Sequence, residues 1–202
     1  MAGGFAYDRK LKERFVIGAD EVGRGCLAGP LIACAVVFDQ ERIGREERRD
    51  LERLTDSKRL SSARRAELVP KIHRVACLVV LSSVSHHAID EHGVEWANRR
   101  ALRRVLERAR AAYAPSFALV DGLGRGLDDV CDRAVKGGDG QSAAIAAASV
   151  IAKEARDRLM RRAGERWPEW GYAQHMGYPT KAHRRAIEQH GPSPWQRRSF
   201  RA

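Results

Sequence analysis

Four acidic residues lie at the ends of apolar or glycine-containing segments of this 202-residue chain. Asp20 and Glu21 directly follow a short apolar run, Asp121 ends another, and Asp139 follows two glycines just before a long alanine-rich segment. Each could be an ordinary loop acid, and Asp139 could simply stabilise a helix N-terminus. Adjacent acids at the end of a buried strand are costly, however, unless they face water or a cation. The pattern therefore indicates a cation site if the fold brings the four together.

The chemistry that such a cluster supports is phosphodiester hydrolysis. Clustered carboxylates repel one another unless cations neutralise them, and oxygen-only ligand sets select hard ions such as Mg²⁺ or Mn²⁺. Two such ions can hold the attacking water and the leaving oxygen of a phosphodiester. The rest of the chain is basic, with 37 Lys and Arg against 26 Asp and Glu and a net charge of +11. Because a basic protein favours a polyanionic partner, we interpret the acids as a metal-dependent nuclease site.

The first pair of acids runs into the glycine-rich stretch Gly23-Arg-Gly-Cys-Leu-Ala-Gly-Pro30. Glycines let the backbone approach a ligand closely. A competing interpretation is a dinucleotide-binding turn, but the glycine spacing misses that fingerprint by one position. In addition, Pro30 and a predicted strand follow where the fingerprint needs a helix. The chain also has no GxxxxGKS/T phosphate loop, so the nuclease interpretation is favoured.

Apolar, β-branched runs predict the strands that must position these acids. Strands are expected over residues 15–20, 31–38, 76–85 and 117–121, with a short last strand near 134–135. A Gly/Pro-rich connection joins the first two, which suggests an antiparallel pair. Helices are expected over about 62–73, 95–113, 142–162 and 181–189, from capping residues and the helical spacing of apolar side chains. This order predicts an α/β protein with a central mixed β-sheet flanked by helices.

Three further segments carry weaker or ambiguous patterns. Residues 1–14 are polar and basic and are expected to be a loose start, and residues 40–53 are charged and either irregular or helical. The helix at 95–113 is amphipathic, with a face that is nearly all arginine. That face is either simply solvated or contacts DNA, and the sequence leaves both open. The small residues of helix 142–162 predict close packing against the sheet.

Several classes of function find no support in the sequence. No run approaches the ~20 apolar residues of a membrane span, and no apolar segment precedes a cleavage site at the N-terminus, so a cytoplasmic protein without membrane contact is expected. The four cysteines, Cys26, Cys34, Cys77 and Cys131, form no CxxC pair, and the seven histidines form no HExxH pattern. We therefore expect neither disulfides nor a zinc site.

The run Asp20-Glu-Val-Gly-Arg-Gly-Cys-Leu-Ala-Gly-Pro30 resembles the N-terminal signature of the bacterial ribonuclease HII family. The resemblance continues in order through residues 55–61, 120–122, 136–139, 145–157, 175–180 and 191–200. These stretches span about residues 15–200, and together they are highly specific.

The resemblance implies a single RNase H-like catalytic domain over residues 1–202, with a C-terminal helical extension at about 164–202. It implies an endonuclease that hydrolyses the RNA strand of RNA–DNA hybrids and cuts 5′ of single ribonucleotides in duplex DNA. Such cleavage leaves a 3′-hydroxyl and a 5′-phosphate and serves ribonucleotide removal in DNA replication and repair. The implied cofactor is Mn²⁺ or Mg²⁺. The implied partners are RNA–DNA hybrid and ribonucleotide-containing duplex DNA; a monomer is expected, and a sliding-clamp partner is left open.

By the same resemblance, specific residues receive roles. The implied metal-binding catalytic acids are Asp20, Glu21, Asp121 and Asp139. The implied substrate contacts are Gly23, Arg24, Gly25 and Tyr178, which would sense the ribonucleotide, and Ser57, Lys58, Lys153 and Arg156, which would contact phosphate. A 2′-hydroxyl is the only group that marks one ribonucleotide in DNA. Structural alternatives stay open: Tyr178 as a buried loop aromatic, Lys58 as a solvated lysine and Lys153 as the i,i+4 partner of Asp157. Ser149 and residues 146–148 are interpreted as packing residues.

Two positions depart from the family pattern. Two glycines stand between Lys136 and Asp139 where the family usually has one, and Gln196 stands where the family usually has a histidine. A glutamine keeps the hydrogen bonding of a histidine but not its charge. The longer loop affects where Asp139 is placed, and Gln196 affects the charge available for substrate contact.

We assign the ion near the attacking water to Asp20 and Asp139, and the ion near the leaving oxygen to Asp121 with Glu21. Alternation along a strand points Asp20 and Glu21 to opposite faces, so both can serve only if the strand ends or bulges there, or if Glu21 contributes through its backbone.

Two other functional classes of protein are compatible with parts of the pattern. An inactive nucleic-acid-binding relative is disfavoured because all four acids are present, and a DNA-only nuclease of similar fold would need no 2′-hydroxyl sensor.

Overall fold

A five-stranded mixed sheet forms the centre of the computed structural model, which describes residues 3–51, 54, 57 and 60–200. The strands are β1 (Phe15–Val22), β2 (Leu31–Asp39), β3 (Leu78–Val84), β4 (Phe117–Asp121) and β5 (Arg133–Val135). Their order is β3-β2-β1-β4-β5. β2 pairs antiparallel with both β1 and β3, whereas β4 pairs in parallel with both β1 and β5. The predicted mixed sheet and its antiparallel first pair are therefore confirmed.

Helices cover both faces of this sheet. They are α1 (Gly3–Lys10), α2 (Arg45–Asp50), α3 (Ser62–Val75), α4 (His86–His92), α5 (Val94–Ala112), α6 (Ala143–Arg166), α7 (Tyr172–His175) and α8 (Lys181–His190), with 3₁₀ turns at Gly138–Gly140 and Pro168–Trp170. The four predicted long helices are present, with ends a few residues from those expected. The short helices α4 and α7 were not predicted. In the described part of the chain, no helix has the length and apolar character needed to cross a membrane.

The two long helices divide the core between them. Val16 of β1 belongs to the buried cluster under α6, whereas Ile17 and Ala19 belong to the cluster under α5. Gly18 faces α6, where an added Cβ would overlap the backbone of Ala144. The prediction that the small residues of α6 pack closely against the sheet is thus confirmed, because a larger side chain at Gly18 would force helix and strand apart.

The N-terminal segment is helical, so the prediction of a loose start is wrong. Phe5 of α1 is only 4% exposed and lies in the core. The buried Asp8 carboxylate accepts a hydrogen bond of 3.0 Å from the backbone N–H of Ala144, at the start of α6. These contacts join segments 136 residues apart. A local polar pattern cannot show them, which is why the sequence misleads here.

After α6 the chain folds back onto the loop that precedes β2. Met160 and Ala163 of α6 form a small buried cluster with Tyr172 of α7 and with Ala28. Two backbone hydrogen bonds then tie the terminal segment to that loop, from Arg197 N–H to Leu27 O at 2.8 Å and from Gly29 N–H to Trp195 O at 2.9 Å. The C-terminal extension therefore lies directly beside the glycine-rich stretch. The division into one domain with an extension stays a prediction.

Candidate active site

Three of the four predicted acids meet at one edge of the sheet. Asp20 lies near the end of β1, Asp121 ends the parallel neighbour β4, and Asp139 lies in the 3₁₀ turn between β5 and α6. One carboxylate oxygen from each lies within 4.8 Å of the other two. The parallel strands β1 and β4 end at the same edge, and the connection after β5 returns Asp139 to it.

Asp20 is the buried member of this cluster, at 7% exposure. Burial, followed by the charges of Glu21 and Asp121, raises the pKa of Asp20 to about 8. Hydrogen bonds from the Ser149 hydroxyl and from the Glu21 backbone N–H, 2.8 Å from Asp20 Oδ1, act in the opposite direction. A nearby divalent cation would replace the repulsion among these carboxylates with attraction.

Ser149 contacts an acid, although the sequence indicated only a packing role. Its hydroxyl hydrogen-bonds the Asp20 carboxylate and lies 2.8 Å from Ser57 Oγ. Ser57 is 3% exposed, so its hydroxyl lies behind Asp20 and not on a surface that a phosphate could reach. The predicted phosphate contact of the Ser57 side chain is therefore corrected to a supporting hydrogen bond. Lys58 lies outside the described residues.

The loop that carries Asp139 also holds Asp121. The backbone N–H of Gly138 donates a hydrogen bond of 2.6 Å to Asp121 Oδ1. Gly137 turns the chain with a φ of 64°, in the left-handed region that favours glycine. The Gln141 side-chain amide closes the loop with a hydrogen bond of 2.8 Å to Lys136 O. The two-glycine departure from the family pattern thus leaves Asp139 beside the other acids.

Glu21 lies on the opposite face of β1 from Asp20, as the alternation of a strand predicts. The strand neither ends nor bulges at this point, since Glu21 pairs with Ala33 and Val22 with Ile32 in regular register. The Glu21 carboxylate is not one of the three groups that converge within 4.8 Å. It lies 3.6 Å from Arg24 Nη1 and lines a groove shared with Asp121. Glu21 therefore borders the acidic cluster within electrostatic range of Asp20.

The donor set fits a hard divalent cation. The three converging groups are all carboxylates, so every ligand they offer is an oxygen. Histidine and cysteine, the usual zinc ligands, do not belong to this group of described residues. The residues present thus match the ion class expected from the sequence.

A cavity of about 580 Å³ lies next to the acidic cluster, and Glu21 is part of its lining. The structure brings Gly23, Arg24, Gly25 and Tyr178 together as its lining. A Cβ added at Gly25 would meet no atom within 4 Å, so this backbone is open to a ligand. Gly23 has a φ of 98°, which only glycine adopts readily. The predicted ribonucleotide-sensing residues therefore share one wall beside the carboxylates.

Tyr178 is half-buried in this wall. Its hydroxyl and the Cys26 thiol are hydrogen-bonded, and burial raises the pKa of Tyr178 to about 12. Lys153 Nζ lies 5.1 Å from the centre of the Tyr178 ring and 2.7 Å from Asp157 Oδ1. The i,i+4 pair that the sequence left open for Lys153 is therefore present, and the same ammonium group also supports the tyrosine ring.

Arg156 has a different environment from the predicted one. It is fully buried and donates to the carbonyl oxygens of Pro30, Ala28 and Met176 at 3.0, 3.0 and 2.8 Å. A guanidinium occupied in this way cannot also reach a phosphate. Its predicted phosphate contact is corrected to a structural role, because it joins the glycine-rich loop to the loop that carries Tyr178.

Arg197 is a second buried arginine, and sequence reasoning missed it. It donates to Gly29 O at 2.9 Å and to Arg24 O at 3.0 Å, and burial lowers its pKa to about 10. Its neighbour Gln196 is 7% exposed and forms an isolated β-bridge with Ala28, so its side chain lies inside the protein and not on the surface. A basic residue in a Pro-punctuated tail gives no local signal of burial. The family resemblance covers this segment but assigned no role to Arg197.

The dinucleotide-binding interpretation is excluded by the element that follows the glycine-rich stretch. Strand β2 begins at Leu31, directly after Pro30. A dinucleotide fingerprint would need a helix N-terminus there to face the pyrophosphate.

Comparison with known proteins gives a family match over most of the chain. A family model described as Ribonuclease HII matches residues 17–202. The ribonuclease HII of Synechococcus sp. (strain CC9902) is 47% identical over 186 residues, which cover 92% of this chain and 91% of that protein. The solved PCNA:RNase HII complex from Archaeoglobus fulgidus contains a chain that matches with a TM-score of 0.77 and 25% identity, covering 93% of this chain and 96% of that one. A structure of Bst-RNase HIII in complex with Mn²⁺ matches with a TM-score of 0.66 and 20% identity, covering 88% of this chain and 63% of that one, and shows the shared fold alone.

Proposed function

The chain belongs to the ribonuclease HII family, and on that premise we propose that it cuts duplex DNA on the 5′ side of single embedded ribonucleotides as well as the RNA strand of RNA–DNA hybrids. Ribonuclease H activity itself follows from the family. The observation that carries the finer proposal is the junction at Glu21, where the carboxylate cluster borders the cavity lined by residues 23–25 and Tyr178. A phosphate at the acids would place the adjoining sugar beside that wall.

We propose that Asp20, Asp121 and Asp139 bind the metal through their carboxylates and that Glu21 takes part through its backbone, the route that a regular strand leaves for it. Bound Mg²⁺ or Mn²⁺ would supply an activated water and charge neutralisation at the leaving oxygen, giving 3′-hydroxyl and 5′-phosphate ends. The convergence of Asp20, Asp121 and Asp139 within 4.8 Å supports these three aspartates as direct carboxylate ligands. The position of Glu21 on the other strand face supports a place nearer the substrate cavity. The Mn²⁺ complex of the RNase HIII neighbour is consistent with this ion class.

Ribonucleotide recognition is assigned to the backbone of Gly23, Arg24 and Gly25 together with Tyr178. Backbone N–H and C=O groups at an open glycine can reach a 2′-hydroxyl, which DNA lacks. The Tyr178 ring offers an apolar surface for the next sugar, and its phenol is neutral at pH 7, as an ordinary tyrosine is, with burial raising its pKa further. Buried Arg156 and Arg197 hold this loop in place, so the recognition groups are set before the substrate arrives.

The decisive experiment is cleavage of a labelled DNA duplex that carries one ribonucleotide, with Mn²⁺, with Mg²⁺ and with chelator, beside an all-DNA control. We expect one metal-dependent cut on the 5′ side of the ribonucleotide and none in the control. Binding without a cut would instead favour an inactive relative, and cutting of the control would favour a DNA nuclease. A monomer and a cytoplasmic location stay predictions. A sliding-clamp partner stays open, and the PCNA complex of the Archaeoglobus relative is consistent with one.

A further inference from the structure

A groove of about 270 Å³ leads away from the acidic cluster along α5. We call it the α5 groove, and it lies between the first half of α5 and the loop 122–127 that follows β4. Glu21 and Asp121 line it at the acidic end, and Arg99, Arg125 and Leu123 line it farther along. It is separate from the cavity of residues 23–25 and Tyr178, although the two share Glu21 and Arg24.

The α5 groove continues past Arg99 into a second hollow of about 270 Å³. Arg99 lines both, and Trp96, Arg100 and Arg103 line the second. A Cβ at Gly126 would lie 3.0 Å from Arg99 Cδ, so the arginine stem rests on the loop and extends along it. The path therefore runs from the carboxylates along one side of α5.

The arginines along this path differ in whether they already form an ion pair with an acidic residue. Arg103 Nη2 lies 2.7 Å from Asp129 Oδ1, and Arg24 is paired with Glu95. By contrast, neither Arg99 nor Arg125 forms an ion pair or hydrogen bond with any residue that the structure describes. Both are exposed. Two unpaired guanidiniums from different segments, next to a phosphodiesterase centre, form a site that favours phosphate.

An apolar surface accompanies these charges. Leu123 is 65% exposed at the start of the same loop, which is unusual for a large aliphatic side chain. A nucleic acid backbone presents phosphate oxygens and the apolar edges of sugars in alternation. Arg99, Arg125 and Leu123 offer both kinds of contact, whereas a free nucleotide or inorganic phosphate would use only the charges.

We propose that the α5 groove binds the backbone of the duplex flanking the cleavage site, with Arg99 and Arg125 contacting phosphates several nucleotides from the scissile one. The proposal rests on the proposed function, since it places the scissile phosphate at the acids. The contact is with the backbone and independent of base sequence. It gives the arginine face of α5 a binding role that the sequence left undecided.

The test measures binding of a fluorescent duplex carrying one ribonucleotide, with chelator, between 50 and 200 mM salt. Each lost phosphate contact should lower the magnitude of the negative slope of log K against log salt by about 0.9. We therefore expect Arg99→Ala and Arg125→Ala to lower it singly, the double variant by about twice as much, and Arg99→Lys to retain most of it because the charge remains. Arg108→Ala is the matched control, because Arg108 is an exposed arginine of α5 that lines neither hollow.

Shortening the duplex from each end gives a second readout. The difference between wild type and the double variant should disappear when one particular flank is removed and should survive removal of the other. Unchanged salt slopes in the double variant, or an equal loss in Arg108→Ala, would overturn the proposal. Binding is measured with chelator, so no cleavage takes place in this assay. A failure of the proposed function would appear separately, as a ribonucleotide duplex left uncut by the wild-type protein with metal.

Discussion

The backbone N–H of Gly138 donates a hydrogen bond of 2.6 Å to Asp121 Oδ1. The loop that supplies the Asp139 carboxylate therefore also holds the Asp121 carboxylate in place. The same glycine is closely packed. A Cβ added there would lie 2.5 Å from Ile145 Cδ1 and 3.1 Å from Val135 Cβ. The loop, the end of β5 and the first turn of α6 are thus adjusted to a residue without a side chain. The geometry of the acids depends on this fit.

Gly138→Ala should weaken metal binding without unfolding the protein. The new methyl group would displace the loop and lengthen the hydrogen bond to Asp121, and loss of such a supporting contact typically costs about 10–100-fold in metal affinity. Mn²⁺ titration by calorimetry measures this. Gly140→Ala is the control, because a Cβ at Gly140 would meet nothing within 4 Å. Equal affinities in the two variants would contradict the supporting role of Gly138.

Asp121→Asn should lower the cleavage rate at least ~100-fold, because removing a metal carboxylate costs several kcal/mol of transition-state stabilisation. The substitution should also change how the Tm responds to metal. With chelator the variant should melt no lower than wild type, since one repelling charge beside Asp20 is gone. Adding Mn²⁺ should then raise its Tm less than that of wild type. Near-normal turnover would remove Asp121 from the metal site.

Gly25→Ala should damage substrate binding but not folding. The added methyl group has open space in the protein alone, and that space is the cavity beside Tyr178. We expect an unchanged Tm and at least a ~10-fold loss of kcat/KM on a duplex with one ribonucleotide, from loss of the close backbone approach. Unchanged kinetics would show that the ribonucleotide does not lie against this backbone.

Arg197→Lys should loosen the glycine-rich loop. A lysine keeps the charge but cannot span the carbonyl oxygens of Gly29 and Arg24 with a fixed fork of donors. Leaving buried carbonyls unsatisfied costs roughly 1–3 kcal/mol each, so the Tm should fall, and KM for the single-ribonucleotide duplex should rise. The exposed neighbour gives the control Arg198→Lys. If both variants behave like wild type, the buried arginine does not position the loop.

Asp8 should make the folded state less stable as pH rises. Burial raises its pKa from 3.8 to about 7, whereas the unfolded chain has the ordinary value. Between these values the folded state binds the extra proton, so stability is fully present below about pH 4 and is lost as pH rises towards 7, with a slope of at most about 1.4 kcal/mol per pH unit. Asp8→Asn should remove this component. Urea unfolding at several pH values measures the difference, and parallel profiles would contradict it.

The sequence by itself determined the positions of the strands and long helices and the types of residue at the strand ends. Apolar, β-branched runs and capping residues are local signals, and they predicted β4 and the closely packed α6 correctly. Asp20 and Asp121 could be selected because an acid at the end of a buried strand is costly without a cation. Asp139 could be selected because it lies between glycines just before a predicted helix. The family resemblance then supplied their proposed roles.

The tertiary structure decided which side chains are buried and what they contact. Arginines are usually surface residues, yet Arg156 and Arg197 are fully buried. All but one of the carbonyl oxygens that they satisfy come from a loop 126 to 173 residues away in sequence. Helix α1 is polar in sequence and is held by Phe5 and Asp8 against α6. Ser149 became a partner of Asp20 only once α6 lay on β1. Burial and hydrogen bonding depend on neighbours that are distant in sequence, so a local pattern cannot specify them.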